Sequence, residues 1–345
     1  STLRALAGLD IEAGMYADAA SRLEMGLQRD HDDGLTWYFL GVCRLHHGDL
    51  GQAMDCGHQA ARCHGTRSIG LDLVGRALMR QGDYRQAARL FAEAARHGPH
   101  DEMTRNHALL ALHAAGRTTR CRQLAQQDVE CRPTDILPRV VLALNQDAAL
   151  QKFARETRRF AGEYEFEMLE TSLVFADLGL LREAVTLLDA ACVSSVAQEC
   201  RSPLPLYYLA YFAASQGDKQ LADDYLKQAA SIHRDFVFPS RPEAVNVLAH
   251  AIQSNPQDAH AHLHLGNLYA NLGRVQEAVT RWEEAARIKP SLSIANRNLG
   301  LARLALAGDA TGAAEYYRQA IAARPDDQTL YRDLAEILIA EGQRS

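Results

Sequence analysis

The stretch LHLGNLYANLGRVQEAVTRWEEAARIKP, residues 263–290, contains the pattern that decides the fold. Apolar residues recur at helical spacing on both sides of Gly273, and Pro290 closes the stretch. Glycine permits the backbone of a tight turn, whereas proline cannot continue a helix. The stretch therefore predicts two antiparallel helices that are joined at Gly273 and end before Pro290.

The turn glycine recurs along the chain at intervals of 34 or 35 residues, at Gly14, Gly48, Gly82 and Gly116 and again at Gly273, Gly308 and Gly342. Five residues after each of these glycines up to Gly308, and also after Gly179 and Gly217, comes a small side chain: Ala19, Ala53, Ala87, Cys121, Ala184, Ala222, Ala278 and Ala313. A large side chain would hold paired helices apart, so these small residues predict close contacts between helices.

These residues resemble the tetratricopeptide repeat family. One copy is formed by Leu265, Gly266, Tyr269, Gly273, Ala278, Trp282, Ala285 and Pro290, and another by Val74, Gly75, Gly82, Ala87, Phe91, Ala94 and Pro99. The resemblance implies an all-α protein, a right-handed superhelical solenoid of antiparallel helix pairs. We expect about eight pairs and a capping helix over residues 330–340. The order of units is also similar to the C-terminal arrays of certain large bacterial proteins with an N-terminal β-rich domain of uncharacterised function.

The repeat spacing is interrupted twice, by 63 residues between Gly116 and Gly179 and by 56 between Gly217 and Gly273. The predicted organisation is therefore segmented: N-terminal repeat units over 1–135, a degenerate unit over 136–164, middle units over 165–236, an orphan helix over 237–258, and C-terminal units with the capping helix over 259–345. The chain begins at Ser1 rather than methionine, and the narrower resemblance predicts that it is the helical portion of a longer protein.

Composition excludes several classes of function. The 345 residues are 47% hydrophobic and 23% charged, with a net charge of -6. No apolar run reaches the roughly 18 residues of a membrane helix, and no basic stripe favours nucleic acid. The seven cysteines are typical of reduced thiols in a chain too long to need disulfides, which predicts a cytoplasmic location.

Two groups of possible metal ligands stand out. The first is Cys43, His46, His47, Cys56, His58, Cys63 and His64. The repeat register assigns its cysteines to packing, because Cys63 and Cys131 share a phase normally filled by an apolar core residue. The second is His260, His262 and His264, which supply too few ligands on one face and are predicted to be solvated or to face a partner. The sequence therefore predicts no metal site.

No motif of enzyme catalysis is present in the sequence: it lacks a nucleophile elbow, a phosphate-binding glycine loop and a metalloprotease helix. We therefore predict no catalytic residue and no cofactor.

The resemblance places the binding surface on the concave side, which the first helix of each unit lines and where extended partners bind. The predicted groove residues are Tyr207, Tyr208, Tyr211, Asn267, Asn271, Arg297, Asn298, Arg76 and Arg80. Tyrosine rings offer contact area, and amides and guanidinium groups offer directional hydrogen bonds. A wetted groove with some tyrosines turned into the core is the alternative interpretation.

The functional prediction is a noncatalytic scaffold that binds a protein or peptide partner in this groove. Two candidates for that partner are a missing N-terminal domain of the same protein and a second copy of the chain. The alternative is a helical accessory region of a longer bacterial carbohydrate-active enzyme, whose catalytic β domain is absent from this chain.

Overall fold

The computed structural model describes residues 2–98, 101–144, 150, 152–153, 164–192, 202–232 and 237–342. These residues form 19 helices and no strand. The predicted all-α class is confirmed for this part of the chain. The chain divides into two compact units, Ser1–Cys200 and Arg201–Ser345. No helix of the described ranges has both the length and the apolar character needed to cross a bilayer.

The helices of the first unit are α1 (Thr2–Glu12), α2 (Tyr16–Leu27), α3 (Gly34–His46), α4 (Leu50–Arg62), α5 (Arg67–Gln81), α6 (Tyr84–His97), α7 (Glu102–Ala114), α8 (Thr118–Cys131), α9 (Ile136–Leu144), α10 (Tyr164–Asp177) and α11 (Leu181–Cys192). From α1 to α9 each helix packs on the next, and α10 packs on α11. This serial packing of helix pairs is the local organisation of a helical solenoid.

The helices of the second unit are α12 (Leu204–Ser215), α13 (Lys219–Ser231), α14 (Ala244–Ser254), α15 (Ala259–Asn271), α16 (Val275–Ile288), α17 (Ser293–Ala307), α18 (Ala310–Ala323) and α19 (Gln328–Gly342). The predicted orphan helix is α14, which packs on α12 and on α15. The predicted capping helix is α19, which packs on α18 and is longer at both ends than expected.

The recurring glycines form the turns, as predicted. Gly82 follows α5 with a φ of 84°, and Gly308 follows α17 with a φ of 62°. Both angles lie in the left-handed region, which side chains other than glycine adopt at a cost. Positive φ angles also occur at Gly14, Gly48, Gly116, Gly179, Gly217 and Gly273. Pro290 lies two residues beyond α16, whereas Pro99 falls outside the described residues.

The small residues lie at close helix contacts. All eight residues that follow the glycines by five positions are at most 3% exposed. In the copy around residue 266, a Cβ added to Gly266 would lie 2.5 Å from Cδ1 of Trp282. The first helix of a unit thus packs on the aromatic residue of the second so closely that only glycine fits at this point.

The cysteines follow the predicted packing only in part. Cys43, Cys56, Cys121 and Cys192 are buried, but Cys63 is half-buried and Cys131 is exposed. The core phase predicted for these last two residues is wrong, because Cys63 caps the end of α4 and Cys131 is the last residue of α8, at the edge of the packed stripe. Burial raises the pKa of the Cys43 thiol to about 12 and that of Cys56 to about 11, so both stay protonated at neutral pH.

Candidate functional site

Two of the predicted groove tyrosines lie in the core of the second unit. Tyr207 is 0% exposed and Tyr208 is 2% exposed. The Tyr207 hydroxyl donates a hydrogen bond of 2.8 Å to Oδ2 of Asp258, whose Oδ1 accepts from the main-chain N–H of Ala261 at the start of α15. Burial, and then the charge of Asp258, raise the pKa of Tyr207 well above its ordinary value.

The burial of these tyrosines corrects the expectation that they face a partner. Tyr207 fastens α12 to the N-terminus of α15 instead, and an extra helix, α14, also packs on α12. The interrupted spacing predicted this helix, but the repeat pattern does not indicate which other helix it covers, so the register alone could not foresee the burial of the tyrosines. Tyr211, one turn further along α12, is half-buried, and its ring centroid lies 5.9 Å from that of His250.

Asn267 is the centre of a hydrogen-bond network on α15. Its Oδ1 accepts one bond from Nε1 of Trp282 and one from Nδ2 of Asn298, each 3.0 Å long. Its Nδ2 donates to the main-chain carbonyl of Val237 at 3.2 Å. An indole N–H can only donate, so Trp282 fixes which side of the Asn267 amide is oxygen. The amide therefore presents its donor to the main chain of Val237.

The segment that Asn267 contacts lies outside the helices. Over residues 237–240, buried and exposed side chains alternate: Val237 and Pro239 are buried, whereas Phe238 and Ser240 are exposed. Phe238 is 70% exposed, a large value for an aromatic ring. This alternation is typical of an extended segment lying on a surface. The repeat register predicted that Asn267 lies in a groove, but no signal indicated that part of the same chain would lie on it.

The remaining predicted residues of the second unit are accessible to different degrees. Asn271 is exposed and lies one turn after Asn267, while Asn298 and Arg297 are half-buried. Arg297 Nη2 lies 3.2 Å from Oδ2 of Asp333 on α19. The structure thus joins Asn267 directly to Asn298, while Arg297 pairs with an acidic residue of the last helix.

The histidines of α15 are buried rather than solvated. His260 and His262 are each 5% exposed, and His264 is 0% exposed. The expectation that they are solvated or partner-facing is therefore wrong, because every residue of α15 from 259 to 269 is buried. Neither ring nitrogen of His264 has a hydrogen-bond partner among the described residues. Burial, with a smaller effect of His260, lowers the pKa of His264 to about 3.

In the first unit, the predicted pair Arg76 and Arg80 is occupied by another part of the same unit. Arg76 Nη2 lies 2.8 Å from Oδ2 of Asp177, and Arg80 Nη2 lies 2.8 Å from Oδ1 of the same carboxylate. Burial opposes ionisation of Asp177, but the two guanidinium groups outweigh it and lower its pKa. The repeat register placed both arginines in the groove without indicating that they meet Asp177.

A second buried polar pair lies beside these arginines. Nδ1 of His107 lies 2.8 Å from Oδ1 of Asp72, and both side chains are buried. Within the described ranges, no three His, Cys, Asp or Glu side chains lie close enough together to hold a metal ion. The contacts observed at these sites are hydrogen bonds and charge pairs.

Comparisons with known proteins agree with the helix pairs. A family model described as tetratricopeptide repeat matches residues 75–135 and 240–293, and a second model with the same description matches residues 304–345. No curated protein matches the sequence significantly.

Three solved structures illustrate the similarity. A tetratricopeptide repeat protein from Parabacteroides merdae is 12% identical, with 68% of this chain and 93% of that chain covered and a TM-score of 0.43. The P58(IPK) TPR domain is 15% identical, with 100% and 98% covered and a TM-score of 0.32. MamA is 21% identical, with 53% and 91% covered and a TM-score of 0.27. The family models identify the matched segments: the chain carries tetratricopeptide repeats over residues 75–135, 240–293 and 304–345.

Proposed function

We propose that this protein is a noncatalytic scaffold that binds a protein or peptide partner on the face of the second unit around Asn267. The tetratricopeptide repeats support a protein-interaction scaffold. The accessible residues of the proposed surface are Tyr211, Asn271, Arg297 and Asn298. Tyr207 and Tyr208 are buried and therefore pack beneath this surface rather than forming part of it.

The observation that carries the proposal is the hydrogen bond from Asn267 to the carbonyl of Val237. A main-chain carbonyl is present in every peptide, so an amide aimed at one can hold an extended chain whatever its sequence. Val237 and Pro239, at alternate positions of the segment, are both buried, which supports a preference for apolar side chains at alternate positions of the partner. The exposed amide of Asn271, one turn away, offers a further polar contact for such a chain.

The proposal includes no catalytic residue, no cofactor and no metal, and it retains the predicted cytoplasmic location. The alternative, an accessory region of a longer carbohydrate-active enzyme, gains no support from the comparisons. The similarity to bacterial proteins with a β-rich N-terminal domain likewise stays a prediction.

Affinity capture with the intact chain tests the proposal. The bait is used as wild type, as the triple variant Asn271→Ala, Arg297→Ala and Asn298→Ala, and as a control, Gln276→Ala with Arg287→Ala, which alters exposed residues of α16. We expect a protein that both the wild type and the control retain and the triple variant loses, and calorimetry with that purified protein should reproduce the difference. Equal retention by all three baits would show that this surface does not bind the partner.

A further inference from the structure

Asp177, the last residue of α10, is bound by two arginines that lie one turn apart on α5. Arg76 Nε and Nη2 approach Oδ2 of Asp177 at 3.0 and 2.8 Å, and Arg80 Nη2 approaches Oδ1 at 2.8 Å. Residues four positions apart share one face of a helix, so α5 presents both guanidinium groups to the same point. Charge-assisted bonds of this kind are stronger than neutral hydrogen bonds.

Arg80 recognises the end of the helix as well as the carboxylate. Its Nε donates to the main-chain carbonyl of Asp177 at 2.7 Å. The last carbonyls of a helix lack partners within the helix and carry a partial negative charge, which a guanidinium group can satisfy. Arg80 thus binds the side chain and the backbone of one residue, a combination that fits a helix ending in an acidic residue.

The guanidinium group of Arg80 also forms a hydrogen bond with α3, on the same side of the contact as α5. Nη1 of Arg80 donates to the carbonyl of Leu45 on α3 at 2.7 Å. The bond to Leu45 anchors Nη1 on α3 and leaves Nε and Nη2 directed at Asp177. A preformed site loses little conformational freedom when an occupant binds.

Further polar and main-chain contacts lie beside the arginines, whereas Phe175, Leu178 and Leu180 on either side of this point are buried. Nε2 of His113 lies 3.8 Å from Oε1 of Glu183 on α11, and the Gly179 turn lies over α5, where a Cβ at position 179 would be 3.5 Å from the Cα of Arg80. The side chains of Arg80 and Asp177 are 26% and 37% exposed. Contacts of partly exposed charges are weakened by salt and can be replaced by water or by another anion.

We propose that Arg76 and Arg80 form a binding site for an acidic helix end, and that the helix pair α10–α11 is its exchangeable occupant within the chain. A partner helix that ends in aspartate or glutamate competes with Asp177 for the site. The face of α3, α5 and α7 is then closed while α10–α11 is bound and open once the pair is displaced. This site is separate from the surface around Asn267 and rests on the proposed function only in treating the array as a scaffold.

Charge reversal at Asp177 tests the proposal in the full-length chain. In Asp177→Arg the occupant is repelled while both arginines remain, and the matched control Asp55→Arg reverses an exposed charge on α4 of the same unit. Hydrogen exchange reports release of the occupant. We expect amides of α10 and α11 to exchange about 10-fold faster or more in Asp177→Arg, as the loss of charged hydrogen bonds implies, with α3 to α8 unchanged.

A fluorescent peptide with the sequence of residues 164–180 then reports whether the emptied site binds an acidic helix end. We expect it to bind Asp177→Arg about 10-fold more tightly than the wild type or Asp55→Arg. Binding should be lost when Arg76→Ala and Arg80→Ala are added, or when the peptide has asparagine at the position of Asp177. If Asp177→Arg does not fold, Asp177→Asn is measured in the same way.

Unchanged exchange in α10 and α11 would overturn the proposal, because the contact would not hold the pair. Faster exchange without peptide binding would overturn it as well, as would binding that persists after both arginines are removed. These results would leave the surface around Asn267 untouched, because its own test uses other residues.

Discussion

The Cα of Gly75 faces the ring of Phe91 so closely that a Cβ at position 75 would lie 2.6 Å from Cε1 and 2.8 Å from Cζ. Phe91 is 0% exposed, so the ring is enclosed by other atoms of the core. Gly75→Ala should therefore lower the free energy of unfolding by about 1–3 kcal/mol through overpacking. Denaturant unfolding measures the change.

The control for this prediction is Gly8→Ala in α1, where an added Cβ meets nothing within 4 Å. There alanine should stabilise the helix by up to about 1 kcal/mol, since glycine is the poorer helix former. Equal effects of the two substitutions would show that contact with Phe91 is not the cause.

Ala87→Leu tests the small residue that follows the turn at Gly82. Ala87 is 0% exposed at the contact of α5 with α6, so the larger side chain should cost about 1–3 kcal/mol. Ala92→Leu makes the same change at an exposed position of α6 and should leave the unfolding midpoint nearly unchanged. An unchanged midpoint for Ala87→Leu would mean that the helices do not pack tightly there.

His264 should make the second unit sensitive to acid. Burial lowers its pKa from 6.5 to about 3, so between these values the unfolded chain binds a proton that the folded chain does not. The stability that depends on neutral His264 is present above pH 6.5 and is lost as the pH falls toward 3. The loss between pH 7 and pH 5 should be about 2 kcal/mol for this group.

The measurement compares denaturant unfolding at the two pH values in the wild type and in His264→Leu, which should lose correspondingly less stability on acidification. His58→Leu, at an exposed position of α4, is the control and should keep the wild-type dependence. A pH dependence that His264→Leu leaves unchanged would assign acid sensitivity to other groups.

Tyr211→Ala and Arg297→Ala should each weaken binding of the captured partner by about 1–4 kcal/mol, as aromatic and arginine anchors commonly do. Arg297 also pairs with Asp333, but a partly exposed ion pair contributes only about 0–1 kcal/mol, so stability should change little. Calorimetric binding and thermal unfolding of both variants provide the check, with exposed Arg318→Ala as the control. Loss of binding that follows loss of stability would return both residues to a structural role.

The purified protein should contain no stoichiometric zinc, although cysteines and histidines cluster over residues 43–64. Cys43 and Cys56 belong to a core of apolar side chains, where a charged thiolate is disfavoured. Metal analysis and circular dichroism in the presence of a chelator measure this. One zinc per chain, with loss of helicity on chelation, would contradict the prediction.

The turns, the close helix contacts and the helix ends could be predicted from the sequence, because each depends on residues that are near one another in the chain. Gly82 marks a left-handed turn and Ala87 marks a close contact because each position demands a particular residue type. The helix pairs follow from such residues, since each pair is built by neighbours in the sequence. The end of α16 before Pro290 is decided in the same way.

The candidate sites were less predictable because they depend on contacts between distant residues. Arg76 and Asp177 meet over a separation of 101 positions, across the interrupted part of the repeat. Tyr207 has the polar and aromatic character of a surface anchor, yet Asp258 satisfies its hydroxyl inside the core. Repeat phase reports which side of its own helix a residue occupies, and not which other helix comes to cover that side.

The Asn267 amide joins three successive helices of the second unit, because Trp282 belongs to α16 and Asn298 to α17. A main-chain carbonyl at the position of Val237 is therefore held by the Asn267 amide, and the orientation of that amide depends on how the three helices pack. Binding and docking are then thermodynamically linked, so a saturating ligand would raise the melting temperature of this part of the array. In the opposite direction, a substitution that weakens the packing of α16 or α17 far from the ligand would lower the affinity for the ligand, because the coupling free energy acts equally in both directions.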